Sequence, residues 1–171
     1  MNPRVAVLRG GPSDERLISM QTGETALTAL RAAGLDVVDV IVSQGREWLV
    51  DGIVREPESF LQTVDTVFIA LHGVYGEDGE VQRILERSGQ QYTGSRPFPS
   101  NLSLNKPLSK QYAKTVNLQT PAYLQATSDG SDLKRLVATA LELLGHNVVI
   151  KPTNNGSSIG VVVIRDGAGL T

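Results

Sequence analysis

The sequence predicts an α/β protein with a mostly parallel sheet, and three observations carry that prediction. Short β-rich runs alternate with helical patterns along the front of the chain. Each run is separated from the next by a segment long enough for a crossover helix, which parallel pairing requires. The third run, Thr66–Leu71 (TVFIAL), is apolar on both faces, as a strand covered on each side must be.

Taken in order, Arg4–Leu8 (RVAVL) reads as a short buried strand, ended by Gly10, Gly11 and Pro12. Met20, Gly23, Leu27 and Leu30 fall at i, i+3, i+7 and i+10, one face of a helix that ends near Gly34. Val37–Val42 is a second strand, Pro57–Thr63 a short helix, and Thr66–Leu71 the third strand. Gly79–Ser88 is a further short helix, with Gly89 as its C′ residue. This β-α-β-α-β-α order describes a Rossmann-like lobe over residues 1–95.

The character changes after Gly94. Ser95–Asn101 carries two prolines and reads as a linker. Asn105 is placed to cap a helix with Pro107 in its first turn, where a missing N–H costs nothing. Tyr123–Ala126 is strand-like. Asp132 is placed to cap a helix whose Leu133, Leu136, Val137, Ala140, Leu141 and Leu144 form an apolar stripe ending at Gly145. Val148–Lys151 and Gly160–Ile164, on either side of a Gly-containing loop, suggest a hairpin. The sequence holds no internal repeat and no low-complexity tract.

A length of 171 residues suits one domain, or one domain and part of a second. The net charge of −2 gives no basic footprint for a nucleic-acid partner. The absence of cysteine excludes disulfides and thiolate metal sites and fits a reducing compartment. The N-terminus runs straight into a strand pattern without a signal-peptide core. No stretch approaches the ~18 apolar residues of a membrane span. A cytoplasmic, soluble protein is expected.

Four segments hold side chains fit for chemistry. Lys151 ends a strand, and the loop after it contains Gly156, Ser157 and Ser158, a composition suited to an anion-binding nest. It is not a Walker A loop, because G-x-x-x-x-G-K-[ST] is missing and no helix follows. A polar hairpin turn with a solvated lysine is the competing reading. In the opening turn, Ser13 is a candidate N-cap, with Asp14 and Glu15 in the first helical turn. The functional alternative puts Glu15 at the carboxyl end of the first strand, where open α/β sheets bind ligands. There it could hold a substrate ammonium. The segment Leu71–Gly79, with three glycines and two acids, is expected as a mobile polar loop on the same edge. His72 within it is either a structural histidine or a substrate neighbour. Lys106 near a helix start would ordinarily be a solvated surface residue, and His146 is given no role.

Together these segments resemble the D-alanine–D-alanine ligase family of the ATP-grasp group. The resemblance rests on V-A-V-L-x-G-G-x-S-x-E-R-x-x-S at Val5–Ser19, F-I-A-L-H-G-x-x-G-E-D-G at Phe68–Gly79 and Y-T-G-S at Tyr92–Ser95. It continues with K-x-x-S-K at Lys106–Lys110 and V-I-K-P-x-x-x-G-S-S-x-G at Val149–Gly160. The five stand in the family's order across nearly the whole chain. The resemblance implies a pre-ATP-grasp lobe at residues 1–95, then an incomplete first ATP-grasp subdomain (α+β) at residues 96–171. It implies an ADP-forming ligase for peptidoglycan precursors, in which ATP phosphorylates one D-alanine carboxylate and a second D-alanine amine attacks the acyl-phosphate.

By motif, Glu15 and Ser157 are the implied catalytic residues: Glu15 on the first substrate's ammonium, Ser157 orienting it. His72 would lie beside that substrate. Lys106, Lys151, Gly156, Ser157 and Ser158 would contact ATP phosphates. Mg2+ is expected with ATP, its ligands in a C-terminal region beyond these residues, and no metal ligand is assigned within this chain. Asn105 stands where the family usually has Asp, a loss of charge only. The isolated chain is therefore expected to be inactive, with a homodimer or a complementary C-terminal chain as candidate partners. The rival readings are a non-catalytic or split-chain module that binds ligand or nucleotide, and a ligase using D-lactate or D-serine as second substrate.

Overall fold

The computed structural model describes residues 2–126 and 133–166. Asp132, the expected cap, lies outside the described residues. The chain divides into two compact units, Met1–Asn105 and Lys106–Thr171.

In the first unit, β1 (Arg4–Gly10) forms the middle of a six-stranded sheet. It leads into α1 (Arg16–Ala32) and then β2 (Asp36–Val42). A hairpin of β3 (Trp48–Val50) and β4 (Ile53–Arg55) follows, then α2 (Pro57–Leu61) and β5 (Thr66–Ile69). The unit closes with α3 (Glu80–Arg87), β6 (Gln91–Tyr92) and α4 (Pro97–Leu104). The strand order is β4-β3-β2-β1-β5-β6. Strand β1 pairs parallel with β2 and β5, and β5 with β6, while β3 and β4 join antiparallel at one edge.

Alternation along β1 divides the core. Ala6 and Leu8 face a cluster built with Val40, Trp48, Phe60, Val81 and Leu85; Val7 faces the other side, against Leu27 of α1 and Ala70. Burial on both faces explains why the central runs are nearly continuous in apolar residues. Helix α1 buries Ser19, Gly23 and Leu27, spaced by four. Gly23 is required by packing: a Cβ there would stand 2.5 Å from Cβ and Cδ of Arg9. The Arg9 stem lies under the helix, and its guanidinium reaches Asp39 at 2.5 Å and Glu24 at 2.9 Å.

Two expectations fail in these coils. The expected linker Ser95–Asn101 is mostly α4. Its prolines, Pro97 and Pro99, lie in the first turn, where the absent N–H would have had no helical partner. Tyr123–Ala126 forms no strand. Among the described residues no strand pairs with it, and the Tyr123 ring instead lies 5.0 Å from the Lys110 ammonium and 5.9 Å from that of Lys114.

The second unit contains α5 (Lys106–Thr115), α6 (Leu133–Leu144), β7 (Val148–Ile150) and β8 (Val162–Ile164). The expected hairpin forms: β7 and β8 pair antiparallel, with Val148 opposite Ile164. Among the described residues of this unit, Ile164 alone is a buried hydrophobic. No helix of the described residues is long and apolar enough to cross a membrane.

Candidate functional site

The first unit assembles its site where β1 and β5 end. Gly10 has φ +93°, and a Cβ on it would stand 2.7 Å from the Val42 carbonyl, so glycine is needed at this turn. Arg16 Nη1 donates to the carbonyls of Gly11 at 3.0 Å and Val42 at 2.7 Å, tying the start of α1 to the end of β2. The buried Ser19 hydroxyl accepts the Gly10 N–H and donates to the Ala70 carbonyl, both at 2.8 Å. Helix α1 is thereby fixed to the carboxyl ends of β1 and β5.

Ser13 is not the N-cap that the sequence suggested. Glu15 occupies that position, α1 begins at Arg16, and no acid lies in its first turn. The Ser13 hydroxyl is used elsewhere: it accepts the Glu15 N–H at 3.1 Å and donates to the His72 carbonyl at 2.7 Å. This joins the β1–α1 turn to the segment after β5. The half-buried Glu15 carboxylate lies against Gly73, whose Cβ position is 3.3 Å from Glu15 Oε1. Among the described residues, no donor bonds that carboxylate.

Leu71–Gly79, expected as a mobile loop, is held by a dense set of bonds. Glu77 N–H donates to the Gly73 carbonyl at 2.7 Å, and Gly73 N–H to Glu77 Oε2 at 3.0 Å. The Asp78 carboxylate accepts from Tyr75 N–H and Glu80 N–H, each at 2.8 Å. Tyr75 is buried despite φ +74°, and its Oη accepts the Trp48 indole N–H at 2.8 Å. Arg46 stacks over the Tyr75 ring and pairs with Glu80. Burial pushes the Tyr75 phenol above its ordinary range.

His72 sits between two elements, with Nε2 at 3.0 Å from Thr22 Oγ1 and Nδ1 at 3.5 Å from Glu77 Oε1. It borders a cleft of about 550 Å³ lined also by Phe68, Leu71, Glu77, Gln82 and Ser95. Glu15 and His72 therefore share one edge of the sheet. An unbonded carboxylate there can receive an ammonium group.

The second unit gathers the other candidates. Lys106 N–H donates to the Thr153 carbonyl at 3.0 Å, and Lys106 Nζ to the Asn155 carbonyl at 2.5 Å. The Lys106 ammonium is depressed below its ordinary range, first by burial and then by the charge of Lys151. No carboxylate pairs with either lysine among the described residues. In the adjoining loop, Ser157 and Ser158 both take left-handed backbone angles, with φ 49° and 60°. Ile159 N–H closes the turn onto Gly156 at 3.0 Å. Two neighbouring ammonium groups without a counter-charge suit a polyanion. For a metal, no group of three His, Asp or Glu among the described residues could hold one.

Thr22 and Asn155 go unmentioned in the sequence reading, which notes Glu77 and Asp78 only as the two acids of Leu71–Gly79, without a role. Asp78 had a signal, an acid directly before a glycine that opens a helix. Asn155 acts through its carbonyl, which any residue carries.

Comparison with solved structures defines the fold class first. The D-alanine–D-alanine ligase of Coxiella burnetii aligns with a TM-score of 0.80 at 20% identity, over 96% of this chain and 57% of that one. That of Bacillus anthracis aligns at 0.73 with 29% identity, over 96% of this chain and 50% of that one. The fold is that of the aligned half of these ligases.

Residues 53–95 match the family described as "D-ala D-ala ligase N-terminus". Among curated relatives, the D-alanine–D-alanine ligase of Marinomonas is 39% identical over 160 residues, 92% of this chain and 47% of its own length. D-alanine–D-alanine ligase B of Xanthomonas campestris is 40% identical over 170 residues, 98% of this chain and 50% of its own. The chain is therefore similar over nearly its whole length to D-alanine–D-alanine ligases, carries a match to their N-terminal domain at residues 53–95, and spans about half the length of these curated relatives.

Proposed function

We propose that these residues supply the first-substrate and phosphate contacts of an ADP-forming ligase that joins two D-alanines. One observation carries the reading: the unbonded Glu15 carboxylate against Gly73, on the sheet edge that also holds His72. Glu15 would bind the ammonium of the first D-alanine, and His72 would border that substrate. Lys106 and Lys151 would meet the phosphates of ATP, with residues 156–158 over the group in transfer and Ser157 orienting the first substrate. Residues 1–95 would act as the pre-ATP-grasp lobe and residues 96–171 as the first part of the ATP-grasp domain, in the cytoplasm.

In the proposed reaction the first D-alanine carboxylate takes the γ-phosphoryl group and ADP leaves. The second D-alanine's amine then attacks the acyl carbon, loses a proton and expels phosphate. The chain's residues bind, orient and offset charge, which is most of what phosphoryl transfer asks of a protein. Mg2+ would neutralise charge on the phosphates; the described residues hold no ligand set for it.

The test uses a polypeptide of the relatives' full length carrying these residues. A charge-assisted hydrogen bond is worth about 1.5–3 kcal/mol, so Glu15→Gln should weaken first-site D-alanine affinity about tenfold or more. Lys106→Met and Lys151→Met should each sharply lower ATP affinity or turnover while the melting temperature holds. Unchanged D-alanine affinity and turnover in Glu15→Gln would return Glu15 to a purely structural position.

A further inference from the structure

The loop that carries His72 also carries an acid that the proposed reaction does not use. Glu77 Oε2 accepts the Gly73 N–H at 3.0 Å, which leaves Oε1 facing His72 Nδ1 at 3.5 Å. The Glu77 N–H to Gly73 carbonyl bond, at 2.7 Å, closes the same turn, so a carboxylate that swings away gives up the Gly73 N–H. Across the ring, Nε2 meets Thr22 Oγ1 at 3.0 Å.

From this geometry we propose that Glu77 is a positioning residue that fixes His72 as its Nδ1–H tautomer, with Nε2 accepting the Thr22 hydroxyl. An ionised carboxylate offers only lone pairs, so the ring nitrogen that faces it carries the hydrogen. The other nitrogen is then a bare acceptor, and the Thr22 hydroxyl rotates to donate. The carboxylate that faces one nitrogen in this way sets the state of the other. The ring is thus pinned from α1 on one side and from its own loop on the other. Its carbonyl is held by Ser13, two residues from Glu15. Fixing the ring in this way orients the face that His72 turns to the first substrate, and in that respect only the inference rests on the proposed function.

The test is long-range 1H–15N NMR of the 15N-labelled 171-residue chain, in alkaline buffer where imidazoles are neutral. His146 is the only other histidine, and a His72→Gln sample assigns the signals. The wild type should show a protonated Nδ1 and an unprotonated Nε2. In Glu77→Gln the amide oxygen can keep the Gly73 N–H, which turns the amide NH2 toward Nδ1 and should invert the pattern. Thr22→Val, which removes the other partner, should keep the wild-type pattern. A wild-type Nε2–H tautomer, or a Glu77→Gln spectrum unchanged from wild type, overturns the proposal. Trp48 fluorescence reports whether Glu77→Gln is folded; if it is not, the wild-type and Thr22→Val tautomers decide. None of these readouts needs D-alanine, so failure of the ligase reading would leave them intact.

Discussion

The two units of this chain are built on different terms. The first surrounds a mostly parallel sheet with its own helices and buries Trp48, Leu8, Leu27, Leu61 and Leu85 almost completely. The second has two helices and a two-stranded sheet but buries only Ile164 among its described hydrophobic residues, while Leu143, Val149 and Val163 are more than half exposed. Regular backbone needs only local sequence, but a core needs enough layers to cover each face. The helix stripe and the hairpin of the second unit are therefore present without the burial that would make them stable. The proposed amino-acid contacts, Glu15 and His72, belong to the unit with the core, and the proposed phosphate contacts, Lys106 and Lys151, belong to the other.

The largest expected contrast is between two core-type truncations. Trp48→Ala removes a fully buried ring packed edge-on against Phe60 and should cost roughly 3–5 kcal/mol. Leu143→Ala, at a side chain 61% exposed, should stay within about 0.5 kcal/mol. Chemical denaturation of both variants beside the wild type, followed by far-UV circular dichroism, measures the pair.

Tyr75→Phe comes next. It leaves the buried Trp48 N–H without an acceptor, a loss of about 1–3 kcal/mol. The same change alters the pH response. Because burial raises the folded Tyr75 pKa above its ordinary 10.0, its contribution is complete below that value and is lost as pH rises through the folded pKa. Wild-type stability should therefore fall more steeply in that alkaline window than that of Tyr75→Phe, as urea midpoints across the window would record.

Gly23→Ala is smaller and opposes a general trend. In a helix interior the change should gain about 1 kcal/mol from propensity. Here the new Cβ meets the Arg9 stem at 2.5 Å, and overpacking costs about 1–3 kcal/mol. A net loss of roughly 1 kcal/mol is expected, and a raised melting temperature would show that the helix lifts off Arg9 freely. Val163→Thr in β8 is the smallest, within about 0.5 kcal/mol, since that side chain is 61% exposed.

The same contrast explains how much could be read in the sequence. Strands β1 and β5 were legible because double-sided burial writes a continuous apolar run, as in Val5–Leu8 and Val67–Leu71, and β2 because only Asp39 interrupts its run Val37–Val42. The end of α3 was legible at Gly89, whose φ of +67° favours the one residue without a side chain. The β3–β4 hairpin was missed although Asp51-Gly52 marks it: both residues have positive φ, as a two-residue turn between Val50 and Ile53 requires. Its strands are only three residues each, too short for a period to register. In α4, two prolines masked a helix that they in fact begin. At the site, charged residues in glycine-rich turns could be found by type, so Glu15, His72 and Lys151 were named. Thr22 could not, because its role depends on which face of α1 meets the β5 loop.

The central claim is that the first unit carries its own stable core and the second does not. Hydrogen exchange of the whole 171-residue chain, resolved by residue, tests it most directly. Amides of β1, β2 and β5 should exchange only through global unfolding, and those of α6, β7 and β8 should exchange faster by orders of magnitude. Equal protection in β1 and β7 would contradict the account.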